Sequence, residues 1–473
     1  MLLGTFKFKL HFCFFHELKA YKEPADTAIL LFTLSHSSKT FARLSSILAF
    51  MKRFLFIIVL LIIAAPLFCQ QLVSDTVFSK VTTTQAKEAR YRYLLDTTIK
   101  QYLQDTLNDD NEGEWNEALW AMELLQYKDD FTKKKLAVAW SKAAQLSDYF
   151  QKNLLETTYS LYAKEFKSQV LQLMQQTTSV SIFIRCAEYV LRADPANDKA
   201  VVATLIQHKF PKDTSVGMQI LQSRIAAKKQ QSLPPLHDIF DSSFLPGETV
   251  IYSLQRSNRG YAGLVIIRKP DGSFLKDSSG NYFHTSQLAR AITNYPYYIT
   301  NGNTPQGILR FSGFDKSRLL YIGPTQNLQL QLPYEDSPDI FFADSSYADT
   351  TWSSELYASL LPPAWKNYTG IYESFYAGKT GRTAVIMHGT TIDPEFYKAE
   401  TYYPQTPSLG CLCSYEEWDS SGHRTSSNQQ KIVDALNSIG SSSGYIVVID
   451  IDDKKKNVEI DDVKAFLDSL NNQ

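Results

Sequence analysis

Lys228-Lys229-Gln230-Gln231-Ser232-Leu233-Pro234-Pro235 divides the chain into two textures. A polar run ending in paired prolines cannot continue a helix and reads as a linker. On its N-terminal side, from about 84 to 225, apolar residues recur every three or four positions. Trp115, Leu119, Met122 and Leu125 form one such series, and Tyr162, Phe166, Val170 and Leu173 another. Pro195 and Pro211 fall between segments, and short loops such as Asp194-Pro195-Ala196-Asn197-Asp198 cut the region into pieces of helix-hairpin size. An antiparallel bundle or a short helical solenoid is expected. Cys186 lies at helical spacing from Phe183 and Val190, which reads as a small core residue.

On the C-terminal side glycines become frequent and strand-like runs appear at 249–254, 264–268, 308–311, 383–387 and 445–451. Lys269-Pro270-Asp271-Gly272 carries hairpin-turn chemistry. Two helices fit as well, over 286–292 and 428–439. The fold class is therefore α+β, with an all-α N-terminal domain followed by a β-rich domain. The boundaries are 70–235 for the helical domain with its linker, and 240–473 for the second domain.

Composition narrows the function. The formal net charge of -1 comes from 48 basic and 49 acidic side chains, which excludes the basic excess of a dedicated nucleic-acid binder. With 44% hydrophobic and 21% charged residues, the 473-residue chain has the make-up of a folded protein. Met51-Lys52-Arg53, the apolar run to Phe68 and the polar exit at Gln70 form the three parts of a secretory signal peptide at 51–69. Residues 1–50 then read as an over-translated upstream segment. Export across the inner membrane follows, to the periplasm or cell envelope, with no stable membrane span after cleavage. A short signal anchor with a cytoplasmic tail is the alternative. Bulky Phe68 argues against lipidation of Cys69.

Export makes the cysteine count informative. Beyond the cleavage point remain Cys186, Cys411 and Cys413, an odd number in a compartment that pairs or eliminates idle thiols. The run Ala384-Val385-Ile386-Met387 ends in His388-Gly389-Thr390, and twenty-three positions after His388 comes Ser408-Leu409-Gly410-Cys411-Leu412-Cys413. A thiolate is the attacking form of cysteine, and an imidazole can take its proton and return it to a leaving amine. Gly410 lets the backbone approach a substrate carbonyl, and its amide with that of Cys411 could donate to a developing oxyanion. Other readings of these residues stay open. His388 could be structural, Cys411 and Cys413 could form a strained disulfide, or both could join His388 or His423 around zinc, for which a C-x-C spacing is a poor match. His208, His237 and His284 have no acid–base partner in the sequence. The acidic run from Asp450 to Asp453 reads as a solvated strand end.

The histidine followed by Thr406-Pro407-Ser408-Leu409-Gly410-Cys411 resembles the signature of L,D-transpeptidase (YkuD-like) catalytic domains. Thr304-Pro305-Gln306-Gly307 resembles the Thr-Pro-x-Gly turn of that family, and Ile322-Gly323-Pro324-Thr325 follows in a compatible order. The likeness covers roughly 245–451 and does not reach the helical region. It implies Cys411 as nucleophile, His388 as the base, the Gly389 carbonyl as the group that orients it, and Ser408 as the motif's hydroxyl residue. Leu409 stands where the motif has a second histidine, and Cys413 where a polar residue is usual. The implied activity is acyl transfer on peptidoglycan peptide stems through a thioacyl-enzyme, with no cofactor and no metal. Hydrolysis of the same bond, as in an L,D-carboxypeptidase, or a non-catalytic wall-binding scaffold are the alternatives. Tyr372 and Tyr376 could line the acyl-donor groove and Arg382, with Lys379, could face stem carboxylates, or these residues form a solvated loop. Nothing in the helical region names a partner.

Overall fold

Residues 84–226 fold into helices because their apolar residues return on one face of each segment and their breaks carry capping residues. The computed structural model describes residues 77–227 and 231–470, so the readings of 1–50 and of the 51–69 signal lie outside the described residues. Eight helices follow in order: α1 (Thr84–Arg92), which runs on into a π-helical stretch to Gln101, α2 (Glu112–Leu125), α3 (Asp130–Lys142), α4 (Asp148–Leu161), α5 (Lys167–Gln176), α6 (Val180–Ala193), α7 (Pro195–Lys209) and α8 (Val216–Ala226). Asp129 and Thr132 close a capping box on α3, Ser147 caps α4, and Asp194 with Pro195 starts α7. Trp115, Leu119, Met122 and Leu125 are all buried, as the spacing predicts, and Cys186 sits fully inside the core of α6. The second series is interrupted. Tyr162 closes α4 and Phe166 opens α5, so its three- and four-residue spacing spans a break between helices. Among the described residues no helix is long and apolar enough to cross a membrane.

The rest of the chain is built on an eight-stranded mixed sheet, which makes the protein α+β overall. Its strands are β1 (Val250–Arg256), β2 (Gly263–Arg268), β3 (Thr285–Gln287), β4 (Gly307–Lys316), β5 (Gln326–Gln331), β6 (Ile386–His388), β7 (Leu412–Cys413) and β10 (Gly444–Asp452), in the order β3-β2-β1-β10-β4-β5-β6-β7. β8 (Glu416–Trp418) and β9 (Arg424–Ser427) form a separate hairpin. Two pairs are parallel, β1 with β10 and β6 with β7; the others are antiparallel. The sheet's outer strands meet as well. Leu288, just past β3, exchanges two backbone hydrogen bonds with Cys413 of β7, at 2.8 and 2.9 Å. That bridge curls the sheet toward a barrel and removes the open edge at β7.

Strand alternation sorts the side chains into two cores. Ile251, Val265, Leu309, Met387, Leu412, Ile446 and Val448 pack with Ile432, Val433 and Leu436 of a helix over Asn428–Ser438. Tyr252, Leu254, Ile266, Ile308, Tyr445, Val447 and Ile449 face the other way, against Phe240, Phe341, Trp365, Phe375 and Leu467. The expected helix at 286–292 is not formed. Its residues make β3 and the bridges of Leu288 to Cys413 and Ala291 to Ser408, because this segment fills the gap between β2 and β7. The run expected as a strand from 383 is extended only from Ile386, since Ala384 takes a left-handed conformation with φ +60°.

Helices and sheet share a core. Ile292, Tyr295, Tyr298 and Ile299 belong to the same buried cluster as the helices, and the Tyr295 ring stacks on Tyr159 with centroids 4.0 Å apart. The Tyr298 hydroxyl donates to Glu188 at 2.5 Å, and the Tyr397 hydroxyl to the Leu124 carbonyl at 3.0 Å. The helical layer therefore grips two loops, 292–304 between β3 and β4 and 389–406 between β6 and β7.

Candidate active site

Parallel pairing of two very short strands brings the sequence motif together. Met387 lies opposite Leu412 and His388 opposite Cys413. Residues in register on parallel strands share a face, so Met387 and Leu412 point into one core while His388 and Cys413 point away from it. Cys411 stands in the bend immediately before β7, outside the paired residues. Its sulfur lies 3.8 Å from the Ala384 carbonyl oxygen, which the left-handed turn at Ala384 presents to it. A non-glycine residue at positive φ costs energy and persists only where its surroundings hold it. Here the Ala384 amide donates to the Glu335 carboxylate at 2.8 Å.

His388 is buried, and its Nδ1 is 2.5 Å from the Gly389 carbonyl oxygen. A carbonyl can only accept, so Nδ1 carries the proton and Nε2 is left as the basic nitrogen. Burial lowers the imidazole pKa to about 4, and the Gly389 bond offsets part of that fall. At neutral pH the ring is therefore neutral and able to take a proton. The Gly389 carbonyl is thus the hydrogen-bond partner of Nδ1.

The turn that carries Cys411 is held by hydroxyls. Ser408 Oγ accepts from the Gly410 amide at 3.0 Å and donates to the Cys411 carbonyl at 2.9 Å. Thr304, first residue of the Thr-Pro-Gln-Gly turn, donates to the Gly410 carbonyl at 3.0 Å. The Gly410 amide is thus engaged inside the turn, which corrects the expectation that it faces a developing oxyanion. Gly410 matters through its backbone instead. Its φ is +110°, and a Cβ would come within 2.4 Å of both Arg382 Nη2 and the Gly302 carbonyl oxygen.

Arg382 is buried rather than part of a solvated loop. Its guanidinium donates to the carbonyls of Tyr297, Asn303 (2.9 Å) and Gly302 (3.0 Å). Burial lowers its pKa to about 10, and its interaction with Cys411 works against that fall. The side chain therefore stays cationic at neutral pH and favours the Cys411 thiolate. With its donors engaged by three carbonyls, it acts electrostatically on Cys411 and is not free to reach out to a carboxylate elsewhere.

The two tyrosines are less directly involved. Tyr372 donates to the Lys366 carbonyl at 2.8 Å, and Tyr376 packs beside Phe375 on the helix over Glu373–Lys379 that leads into Arg382. Cys413 is buried against Thr406, 3.7 Å away, and burial pushes its thiol up to about 12. None of Cys186, Cys411 and Cys413 is in a disulfide. Among the described residues no three or more His, Cys, Asp or Glu side chains are arranged to hold a metal ion. His423 lies on the β8–β9 hairpin beside Phe78, and His284 Nδ1 is 2.9 Å from the Tyr282 carbonyl.

Sequence reasoning passed over a second layer of polar groups. Glu416 on β8 is buried, with one oxygen taking hydrogen bonds from Thr325 (2.5 Å) and Ser427 (2.6 Å) and lying 3.4 Å from Arg424 Nη1. Its other oxygen accepts from the Thr390 amide at 3.1 Å. Beneath Thr304, the Gln306 amide donates to Glu373 at 2.9 Å, and Asp450 pairs with Arg259 at 2.7 Å. Burial first, then Asp450, raises Glu373 to about 7, and burial raises Asp450 to about 6. Asp450 is therefore an interior group and not the solvated strand end that its acidic neighbours imply. Thr325 and Gln306 had a signal, through the Ile-Gly-Pro-Thr and Thr-Pro-Gln-Gly stretches.

Comparison with protein-family models, curated proteins and solved structures finds no match to this chain.

Proposed function

We propose that this protein is a divergent L,D-transpeptidase-like cysteine acyltransferase of the cell envelope, with a helical domain ahead of the catalytic one. The observation that carries the reading is the β6–β7 pairing. It brings the bend that carries Cys411 next to the strand of a buried His388, whose Nδ1 faces the Gly389 carbonyl and whose Nε2 is left as the basic nitrogen. Exported location and peptidoglycan stem peptides as substrate belong to the same proposal and rest on the motif resemblance.

In this mechanism the Cys411 thiol gives its proton to His388 Nε2, and the thiolate attacks the carbonyl of a stem peptide near its C-terminus. A C–S bond forms, the amide C–N bond breaks, and the proton held by His388 goes to the departing amine of the terminal D-residue. A second amine then attacks the thioester, gives up a proton through His388, and leaves with the acyl group while the thiol is restored. Arg382 lowers the cost of the thiolate throughout. Water in place of the second amine turns the same cycle into a carboxypeptidase. Leu409, in place of the motif's second histidine, favours the second reading, a wall-binding scaffold without chemistry.

The test is incubation of the purified protein with disaccharide-tetrapeptide fragments and mass spectrometry of the products. Release of the terminal D-residue with crosslinked dimers supports transpeptidation, and release without dimers supports hydrolysis. No release by wild type, or equal release by Cys411→Ala, refutes the enzyme reading and leaves the scaffold.

A further inference from the structure

The Gly389–Thr390 peptide group is held from both ends. Its carbonyl accepts from His388 Nδ1 at 2.5 Å, and its N–H donates to the Glu416 carboxylate at 3.1 Å. We propose that Glu416 is a positioning residue that acts on His388 through this one peptide group, a carboxylate–amide–imidazole relay that orients the base and steadies its protonated form. The inference rests on the Cys411–His388 reading and deepens it.

Three features carry the relay. Glu416 is buried and anchored by Thr325, Ser427 and Arg424, so its free oxygen is aimed and does not wander. The contact with the loop is tight, because a Cβ on Gly389 would lie 2.2 Å from the Glu416 carboxyl carbon. Thr390 is fixed on its far side too, with Trp418 Nε1 donating to its carbonyl at 2.9 Å and Thr406 donating to its hydroxyl at 3.1 Å. An amide whose N–H donates to a charged acceptor is a stronger acceptor at its own oxygen, an enhancement of roughly 10–30% per bond in a low-dielectric interior. In serine hydrolases a carboxylate meets the imidazole directly and holds both tautomer and orientation. Here one peptide group stands between the two, and the same electrostatic pull passes through it. Burial raises the Glu416 pKa, and the hydrogen bonds from Ser427 and Thr325, then the charge of Arg424, work against that rise in favour of the carboxylate.

The other charged or titratable groups around the pair are Arg382 beside Cys411, Glu373 beyond Arg382, and the buried Cys413 thiol. Of these, Cys413 also feels the Glu416 carboxylate, so the Glu416 variants are read in a Cys413→Ala background, where the pH profile of Cys411 reports the relay.

The experiment measures iodoacetamide alkylation of Cys411 in the full chain, by mass spectrometry of its peptide, across pH 5–10. Wild type, Glu416→Gln, Glu416→Asp, Thr325→Val and His388→Ala are compared. The relay predicts that Glu416→Gln slows labelling at neutral pH about tenfold and moves the ionisation inflection up by about one pH unit. Glu416→Asp keeps the charge and its anchors but withdraws from the Thr390 amide, so it shows the same shift even if Glu416→Gln does not fold. Thr325→Val removes an anchor on the other oxygen, lowering the melting temperature without moving the inflection. An unmoved inflection in both Glu416 variants, or an equal shift in Thr325→Val, overturns the relay. If wild-type Cys411 titrates like a small-molecule thiol and His388→Ala changes nothing, the Cys–His reading fails first and takes the relay with it.

Discussion

Gly410→Ala is the sharpest perturbation of the nucleophile turn. Two penalties add. The backbone there has φ +110°, a left-handed conformation that costs an L-residue about 1–2 kcal/mol. The new Cβ would also sit 2.4 Å from Arg382 Nη2 and 2.4 Å from the Gly302 carbonyl oxygen. Neither neighbour yields easily, since Arg382 is tied to three carbonyls and one of them is Gly302. Overpacking of that kind costs about 1–3 kcal/mol. The sum is a loss of about 2–5 kcal/mol in urea unfolding. Gly381→Ala is the internal control, because Gly381 also has positive φ, at +88°, but nothing within 4 Å of an added Cβ. It should lose only the conformational part, about 1–2 kcal/mol. Cys411 labelling at neutral pH should fall in Gly410→Ala, as Arg382 is pushed off its carbonyls, and hold in Gly381→Ala. Equal losses in the two variants would refute the close approach of Arg382 to the turn.

Protonation of His388 should be visible as a stability difference. Its folded pKa is about 4, below the ordinary value of 6.5, so between those values the unfolded chain binds more protons and stability rises with pH. Measured as wild type minus His388→Gln, which cancels the opposing slopes of Glu373 and Asp450, the contribution should fall by up to about 3 kcal/mol from pH 7 to pH 4. A flat difference in urea titrations would contradict a buried neutral imidazole. Cys413, buried with its thiol pushed up to about 12, should resist iodoacetamide in the folded protein, and Cys413→Ala should leave the pH profile of Cys411 in place. Labelling of Cys413 at the rate of Cys411 would show that the pocket is open. Tyr298→Phe removes the 2.5 Å bond to Glu188 and should cost about 1–3 kcal/mol, with faster amide exchange across 292–304. Unchanged exchange there would mean that the helical layer does not hold the loop.

The helical half was legible because its periodicity survives folding: Trp115, Leu119 and Met122 face the core as their spacing demands. The long central strands β1, β2 and β10 were legible too, since buried strands in the middle of a sheet read as continuous apolar runs. The short pieces were not. Residues 285–292 carry apolar residues at helical spacing, yet they pair with β2 and β7 because only that position closes the sheet. No local pattern encodes a partner more than a hundred residues away. At the candidate site, His388, Gly389, Ser408 and Cys411 could be singled out because Cys–His chemistry would need those residue types at a motif spacing. Arg382 was visible as a residue but not as a buried one, since three carbonyls from a separate loop decide its burial. Glu416 was invisible. In Glu416-Glu417 nothing distinguishes the inward carboxylate from the outward one until Thr325, Ser427 and Arg424 are brought round it.

The strands that carry the site are two and three residues long, too short to fix a nucleophile and base by their own ladder. What fixes them comes from outside the sheet. Tyr159, Ser160 and Glu188 of the helical layer hold Tyr295, the Ile292 carbonyl and Tyr298. The same loop, 292–304, then supplies the carbonyls of Tyr297, Gly302 and Asn303 to Arg382 and the Thr304 hydroxyl to Gly410. The base is fixed independently, from β8, through Glu416 and the Gly389–Thr390 peptide. Nucleophile and base thus answer to different parts of the fold. A change in the helical layer should disturb the Cys411 turn directly and leave the tautomer of His388 alone, whereas a change at Glu416 should reach Cys411 only through His388. The helices therefore have a structural part in the site whatever else they bind, because removing them would leave the 292–304 loop, and with it Arg382, without support.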